Sequence, residues 1–181
     1  PLSNDLVDNG DFTLGNVGFT SDYAYKEDVT GLVPPGQGEL YDDSGNNGYS
    51  IITNGQNVHI NFWGSDHTNN TSGPKNFMAV NGHGTLVVWR QLGIPVTPGM
   101  TYYFSAYARS LNNAGNYANL SFRINESTNG LTVTSTGVLP AYNPSNPSTW
   151  GWSRFYGNWT APTGVTSITL SIVDLVSHLT G

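Results

Sequence analysis

The chain has 181 residues, with six Lys and Arg against twelve Asp and Glu, and only 10% of its positions are charged, against about 25% in an average soluble domain. A net charge of −6 without a basic run argues against a nucleic-acid partner, no apolar stretch nears the ~20 residues of a membrane span, and the lack of cysteine removes thiol catalysis, disulfides and thiolate metal sites. Twenty-two Gly and ten Pro among Val, Ile, Thr and aromatic runs argue against a helical bundle and predict a single packed β domain over residues 1–181.

Residues 1–7 read as an extended N-terminal arm, and a start at Pro1 without Met fits a mature protein secreted to the extracellular side. Turn chemistry then punctuates the chain at residues 34–36, 43–48, 71–74, 98–99, 112–116, 143–148 and 162–164. In residues 56–63, Val58, Ile60 and Phe62 alternate with His59, Asn61 and Trp63, which predicts a strand. Residues 85–93 are apolar on both sides, as expected of a central strand. Residues 101–110 turn Tyr102, Phe104, Ala106 and Ala108 to one face and Tyr103, Ser105, Tyr107 and Arg109 to the other.

Residues 117–126 repeat that design with Leu120, Phe122 and Ile124 inward, and Tyr117, Asn119, Ser121, Arg123 and Asn125 outward. Residues 152–160 set Phe155 and Trp159 against Trp152, Arg154, Tyr156 and Asn158; residues 166–173 turn Ile168, Leu170 and Ile172 inward. Many short strands with one apolar face predict an all-β fold, an antiparallel two-sheet jelly-roll β-sandwich.

Residues 9–23, 66–82, 87–111, 152–162 and 167–181 resemble, in order and spacing, a bacterial extracellular surface-protein family with a galactose-binding-like jelly roll, related to carbohydrate-binding modules of families 4 and 9. The resemblance covers most of the chain and implies a galactose-binding-like fold. Members of that family continue past the position of Gly181 with paired aspartates that form a last strand beside the first. Without that strand, inner main-chain groups would be left unpaired, which is costly. Either the natural chain is longer, or a neighbouring molecule donates a strand, with residues 1–7 as the expected donor and a homopolymer as the product.

Catalysis is not expected. No outward strand face carries the two carboxylates a glycosidase needs; Asp8, Asp22, Asp42 and Asp43 lie in turns, Glu126 lies at a strand end, and no nucleophile-elbow motif occurs. The resemblance implies a structural calcium ion held by Asp11 and Asp174; the alternative is that Asp8 and Asp11 bond turn backbone. His59, His67 and His83 are too scattered for zinc, and Asp66-His67 reads as a pair that fixes a loop.

Sugars present apolar C–H faces ringed by hydroxyls, so their sites combine aromatic planes with forked hydrogen-bond donors. Tyr103, Tyr107, Arg109, Tyr117, Asn119 and Arg123 would share one outer face if residues 111–116 join two neighbouring strands as a hairpin, and the resemblance puts this pair in the ligand-binding sheet. The alternative is a solvated face rich in strand formers. Trp150 follows a Pro/Ser/Asn loop and joins the candidates; Trp63, Tyr142 and Trp152 rank behind it, and Trp89 and Trp159 read as core. The expected function is a non-catalytic module that binds a glycan or cell-surface polysaccharide. The competing expectation is a subunit of an extracellular filament or adhesive layer built by strand donation.

Overall fold

A computed structural model describes residues 5–27, 40, 48–58, 62–68, 75–82, 84–112, 117–143, 145–146 and 151–176. Nine strands occur among them: β1 (Ala24–Tyr25), β2 (Gly48–Ile52), β3 (Phe77–Val80), β4 (Val87–Pro95), β5 (Thr101–Ala108), β6 (Ala118–Ile124), β7 (Ser135–Leu139), β8 (Ser153–Thr160) and β9 (Ser167–Asp174). They form sheets in the orders β1-β2-β3, β4-β9-β6-β7 and β5-β8. All neighbours run antiparallel except the short β1–β2 pair. The expected all-β fold is what forms.

The four-strand sheet is one layer, and the two smaller sheets face it. Ile94, Phe122, Ile124 and Ile168 from that layer bury against Trp159, with Tyr102, Phe104, Ala106 and Phe155 of β5 and β8 packed on them. Val88 and Trp89 of β4 bury against Tyr49 and Ile51 of β2. Trp89 and Trp159 are core residues, at 6% and 5% exposure. The alternating apolar residues read from the sequence therefore face one another between the layers, each fully buried aliphatic or aromatic side chain contributing roughly 1.5–3 kcal/mol.

Strand β4 stands at the end of its sheet rather than in the middle. Its outer edge is nevertheless covered: Thr20 and Arg90 exchange backbone hydrogen bonds, both 2.8 Å, and Asp22 N–H donates to the Val87 carbonyl at 2.9 Å. The run is apolar on both sides because Val87, Val88 and Trp89 are all buried, the register shifting between Val87 and Trp89 so that Val88 and Trp89 share one cluster. Further along, the register shifts between Gln91 and Ile94, where Gly93 adopts φ +70°. A bulge of this kind needs the left-handed conformation that glycine tolerates, and it turns Leu92 out to solvent at 63% exposure.

Two expectations fail here. The described part of residues 56–63 does not begin as the expected strand: Gly55–Asn57 is a 3₁₀ turn, the Asn54 side chain accepting from Gln56 N–H, and residues 59–61 lie outside the described residues. Val58 and Phe62 are still buried, in a cluster with Leu40, Ile52, Phe77 and Ala79. The second failure matters more. β5 and β6 are not neighbours; β5 pairs with β8, while β6 pairs with β7 and β9. The apolar faces of β5 and β6 meet across the sandwich, with the Phe104 and Phe122 rings 5.7 Å apart, and strands that face one another cannot also lie side by side.

Candidate functional site

The β5–β8 register sets Tyr103 opposite Asn158, Ser105 opposite Tyr156 and Tyr107 opposite Arg154. Because successive side chains alternate between faces, these six residues share the surface turned away from the core. Tyr103 and Tyr156 are 81% and 70% exposed and Tyr107 42%. The Arg154 guanidinium lies over the rings of Tyr107 and Tyr156, at 6.0 and 5.8 Å. Among the described residues no carboxylate pairs with it. A depression of about 210 Å³ lies between Tyr103, Ser105, Arg154 and Tyr156.

The face continues beyond the strand ends. Residues 62–63 pair with the chain just after β5, Trp63 N–H donating to the Leu111 carbonyl at 2.9 Å, and this brings the following loop alongside Tyr107. His67 stacks on Tyr107 with centroids 3.8 Å apart and planes 19° from parallel, and meets Trp152 edge-on at 6.3 Å. Arg109 lies 5.9 Å over Trp152 and 5.5 Å over Tyr142, which in turn stacks on Trp63 at 5.8 Å. Rings and guanidinium groups thus run from Tyr156 through Arg154, Tyr107, His67, Trp152, Arg109 and Tyr142 to Trp63.

Local chemistry holds this row in place. Trp152 Nε1–H donates to the Ser65 carbonyl at 2.9 Å, and the indole edge packs on Phe77. Gly64, at φ +110°, leaves room for the guanidinium of Arg109: a Cβ there would come within 2.5 Å of Arg109 Nη1. Burial pulls the Arg109 guanidinium below its ordinary range, with the neighbouring Tyr142 acting in the opposite sense. Asp66 ties down the loop that carries His67, accepting from the Thr68 N–H and hydroxyl and from Lys75 N–H.

Burial would raise the Asp66 carboxyl, but the hydrogen bonds from Thr68 and Lys75 outweigh it and hold the group below its ordinary 3.8. A depressed carboxylate stabilises the fold above the ordinary value, and that stability is lost as pH falls through the folded-state value. We therefore expect thermal stability to fall below about pH 4 and the fall to be shallower in Asp66→Asn. Identical melting profiles for the two proteins between neutral pH and pH 3 would show that Asp66 plays no such part.

Of the residues expected to form the ligand face, Tyr103, Tyr107 and Arg109 come together, joined by Trp152, Tyr142 and Trp63. Asn119 and Arg123 do not join them, since both lie on β6 in the opposite layer, while Tyr117, just before β6, lines a cavity of about 1880 Å³ that Tyr103, Tyr107 and Arg109 also line. Asn119 Oδ1 is buried without a hydrogen-bond partner there, and Arg123 stands beside Ser171 in the register. Trp150 lies outside the described residues, as do Asp42, Asp43, His59 and His83. Arg154, Tyr156 and His67 belong to the face although the sequence did not single them out as ligand-binding. The alternation of residues 152–160 had already put Arg154 and Tyr156 outward, but nothing in it named β5 as their neighbour.

Asp11 Oδ1 accepts from the Thr13 N–H and hydroxyl, and these bonds, the backbone one foremost, lower its carboxyl from the ordinary value. Asp174 Oδ2 accepts from the Tyr23 hydroxyl at 3.2 Å and Oδ1 from Val176 N–H at 2.9 Å. Among the described residues no three or more His, Cys, Asp or Glu side chains gather as a metal-ligand set. No protein-family model matches the chain, and no curated protein matches it.

Proposed function

We propose that this protein is a secreted, non-catalytic carbohydrate-binding module, of the galactose-binding-like jelly-roll type its sequence resembles, and that the outer face of β5 and β8 is where the glycan docks. The observation that carries this reading is the pair of largely exposed tyrosines, Tyr103 and Tyr156, that border one depression with Arg154, whose guanidinium no described carboxylate neutralises. Exposed rings held at fixed angles receive the C–H faces of a sugar with little loss of side-chain freedom. Arg154 keeps donors free for hydroxyls while its guanidinium lies over Tyr107 and Tyr156. Tyr107 is braced from behind by His67, so the rings would meet a ligand without rearranging.

The test is retention on immobilised polysaccharides, beginning with a broad glycan array. The double variant Tyr103→Ala, Tyr156→Ala should bind the retained polysaccharide at least tenfold more weakly, a loss of about 1.4 kcal/mol or more. Its melting temperature should stay within about 2 °C of the parent, because exposed side chains away from caps and cores change stability by only ~0.5 kcal/mol. If the intact protein retains no glycan, or the double variant binds as well as the parent, the reading fails.

A further inference from the structure

Charge is distributed unevenly along the chain. Residues 1–66 hold ten Asp and Glu against one Lys, whereas residues 67–181 hold five Lys and Arg against only Glu126 and Asp174. Neither of those two acids serves β5 or β8. Glu126 pairs with Arg90 at 3.5 Å, and Asp174 is buried, accepting from the Tyr23 hydroxyl and Val176 N–H. No Asp or Glu occurs in residues 97–125 or 127–173, which contain both strands. Asp66, next to His67, is buried and its carboxylate is occupied by Thr68 and Lys75 N–H. Arg154 is therefore an exposed positive charge on a strand pair without acids, in a protein whose net charge is −6.

Across the β5–β8 ladder the outward positions run Tyr103 with Asn158, Ser105 with Tyr156, and Tyr107 with Arg154. Ser105 is the smallest of the six, and it lines the depression of about 210 Å³ together with Tyr103, Tyr156 and Arg154. Drug-sized ligands fill roughly 300–1,000 Å³, so this volume suits a single sugar ring. In a hexuronate the carboxylate projects from the rim of the ring at C5. A ring seated against Tyr103 or Tyr156 in this depression can bring that carboxylate to the wall that Arg154 forms.

We infer that the glycan taken by this face is acidic, a polysaccharide of uronate sugars, with Arg154 as the partner of the carboxylate. The inference rests on the carbohydrate-binding reading above and narrows its substrate class. Seating a neutral sugar strips water from the Arg154 charge and puts no opposite charge in its place, which is costly. A carboxylate supplies that charge and accepts two parallel N–H bonds from the guanidinium, each roughly twice as strong as a neutral hydrogen bond. The rings of Tyr107 and Tyr156, at 6.0 and 5.8 Å, confine the long arginine side chain, so less of its freedom remains to be lost on binding. A sulfate ester is bulkier and stands farther from the ring than a one-ring depression allows.

The experiment measures retention of the 181-residue protein on polygalacturonate, alginate and hyaluronan, and on the same polymers after carboxyl reduction, which turns each carboxylate into a neutral hydroxymethyl group. At least one uronate polymer should be bound ten times or more as tightly as its reduced form. Arg154→Gln should bring that ratio below about two, with an unchanged melting temperature because the side chain is exposed. Arg123→Gln, the same change of charge on the opposite layer, should keep the parent's ratio.

Equal or tighter binding of the reduced polymers would overturn the acidic ligand and leave the carbohydrate reading standing. Binding of dextran sulfate without a preference for any uronate over its reduced form would overturn it as well. A preference lost equally in the Arg123 and Arg154 variants would reduce the effect to net charge and remove Arg154 from it. A protein that binds no glycan, acidic or neutral, would end both readings.

Discussion

Replacing Trp152 by Ala should destabilise the protein by about 3 kcal/mol, the lower end of the range for removing a packed Trp, and dismantle the aromatic row at the same time. The indole is where three parts of the molecule meet. Its ring edge packs against Phe77 of β3 with centroids 5.6 Å apart, its Nε1–H holds the Ser65 carbonyl at 2.9 Å, and its face carries the Arg109 guanidinium at 5.9 Å. Removing it opens a void over the cluster around Ile52 and Phe62, leaves the Ser65 carbonyl without its donor, and frees Arg109 and His67 from the surface that aligns them.

In a domain of this size 1 kcal/mol corresponds to about 2–4 °C, so melting should fall by roughly 6–12 °C. Trp152→Phe keeps an edge against Phe77 and loses the hydrogen bond, and should cost about 1 kcal/mol. Glycan retention should drop in both variants, more in Ala, because Tyr107 loses the His67 ring that braces it. An alanine variant that melts within 2 °C of the parent would mean that Trp152 merely lies on the surface.

The sequence carried the inner faces of the strands and little about their neighbours. Tyr102, Phe104 and Ala106, Leu120, Phe122 and Ile124, and Ile168, Leu170 and Ile172 each occupy the inner side that a period of two assigns them, because burying an apolar face is a local demand that each strand meets by itself. Pairing is a global outcome. Tyr107 and Arg123 look equivalent along the chain, each outward on a strand with an aromatic inner face. They end on opposite layers because Phe104 and Phe122 bury against one another rather than side by side.

Residues 56–63 failed for a different reason. Asn54 and Gly55 form a turn pair whose capping bond to Gln56 N–H competes with extension, and Val58 reaches the core from the end of that turn. The stacking of His67 on Tyr107 was not legible at all. It depends on the alignment of residues 62–63 with 111–112, about fifty positions away, which no local pattern encodes. Asp66 does fix its loop as expected, but through Thr68 and Lys75 rather than as a pair with His67, because a short carboxylate bonds the backbone two residues on and His67 stacks on Tyr107.

Substituting Gly82 by Ala should be nearly as damaging as the Trp152 change, at about 2–3 kcal/mol, although it adds a single methyl group. A Cβ at Gly82 would overlap Asp174 Oδ2. Such an overlap is mild when the atom it meets ends a long, free side chain. Asp174 is short, 5% exposed, and fixed from both oxygens by the Tyr23 hydroxyl and Val176 N–H, while its own N–H donates to Leu86 at 2.9 Å. To admit the methyl group the carboxylate must rotate, and a buried charged group deprived of its donors loses far more than the contact itself.

The loss should appear as a melting temperature lower by roughly 5–10 °C, while Gly151→Ala, where an added Cβ meets nothing within 4 Å, should change it by less than about 2 °C. A double-mutant cycle separates overlap with Asp174 from any intrinsic demand for glycine. In an Asp174→Ala background the Gly82 substitution should cost less than about 0.5 kcal/mol, because the atom it strikes is gone. An equal cost in both backgrounds would place the strain in the Gly82 backbone.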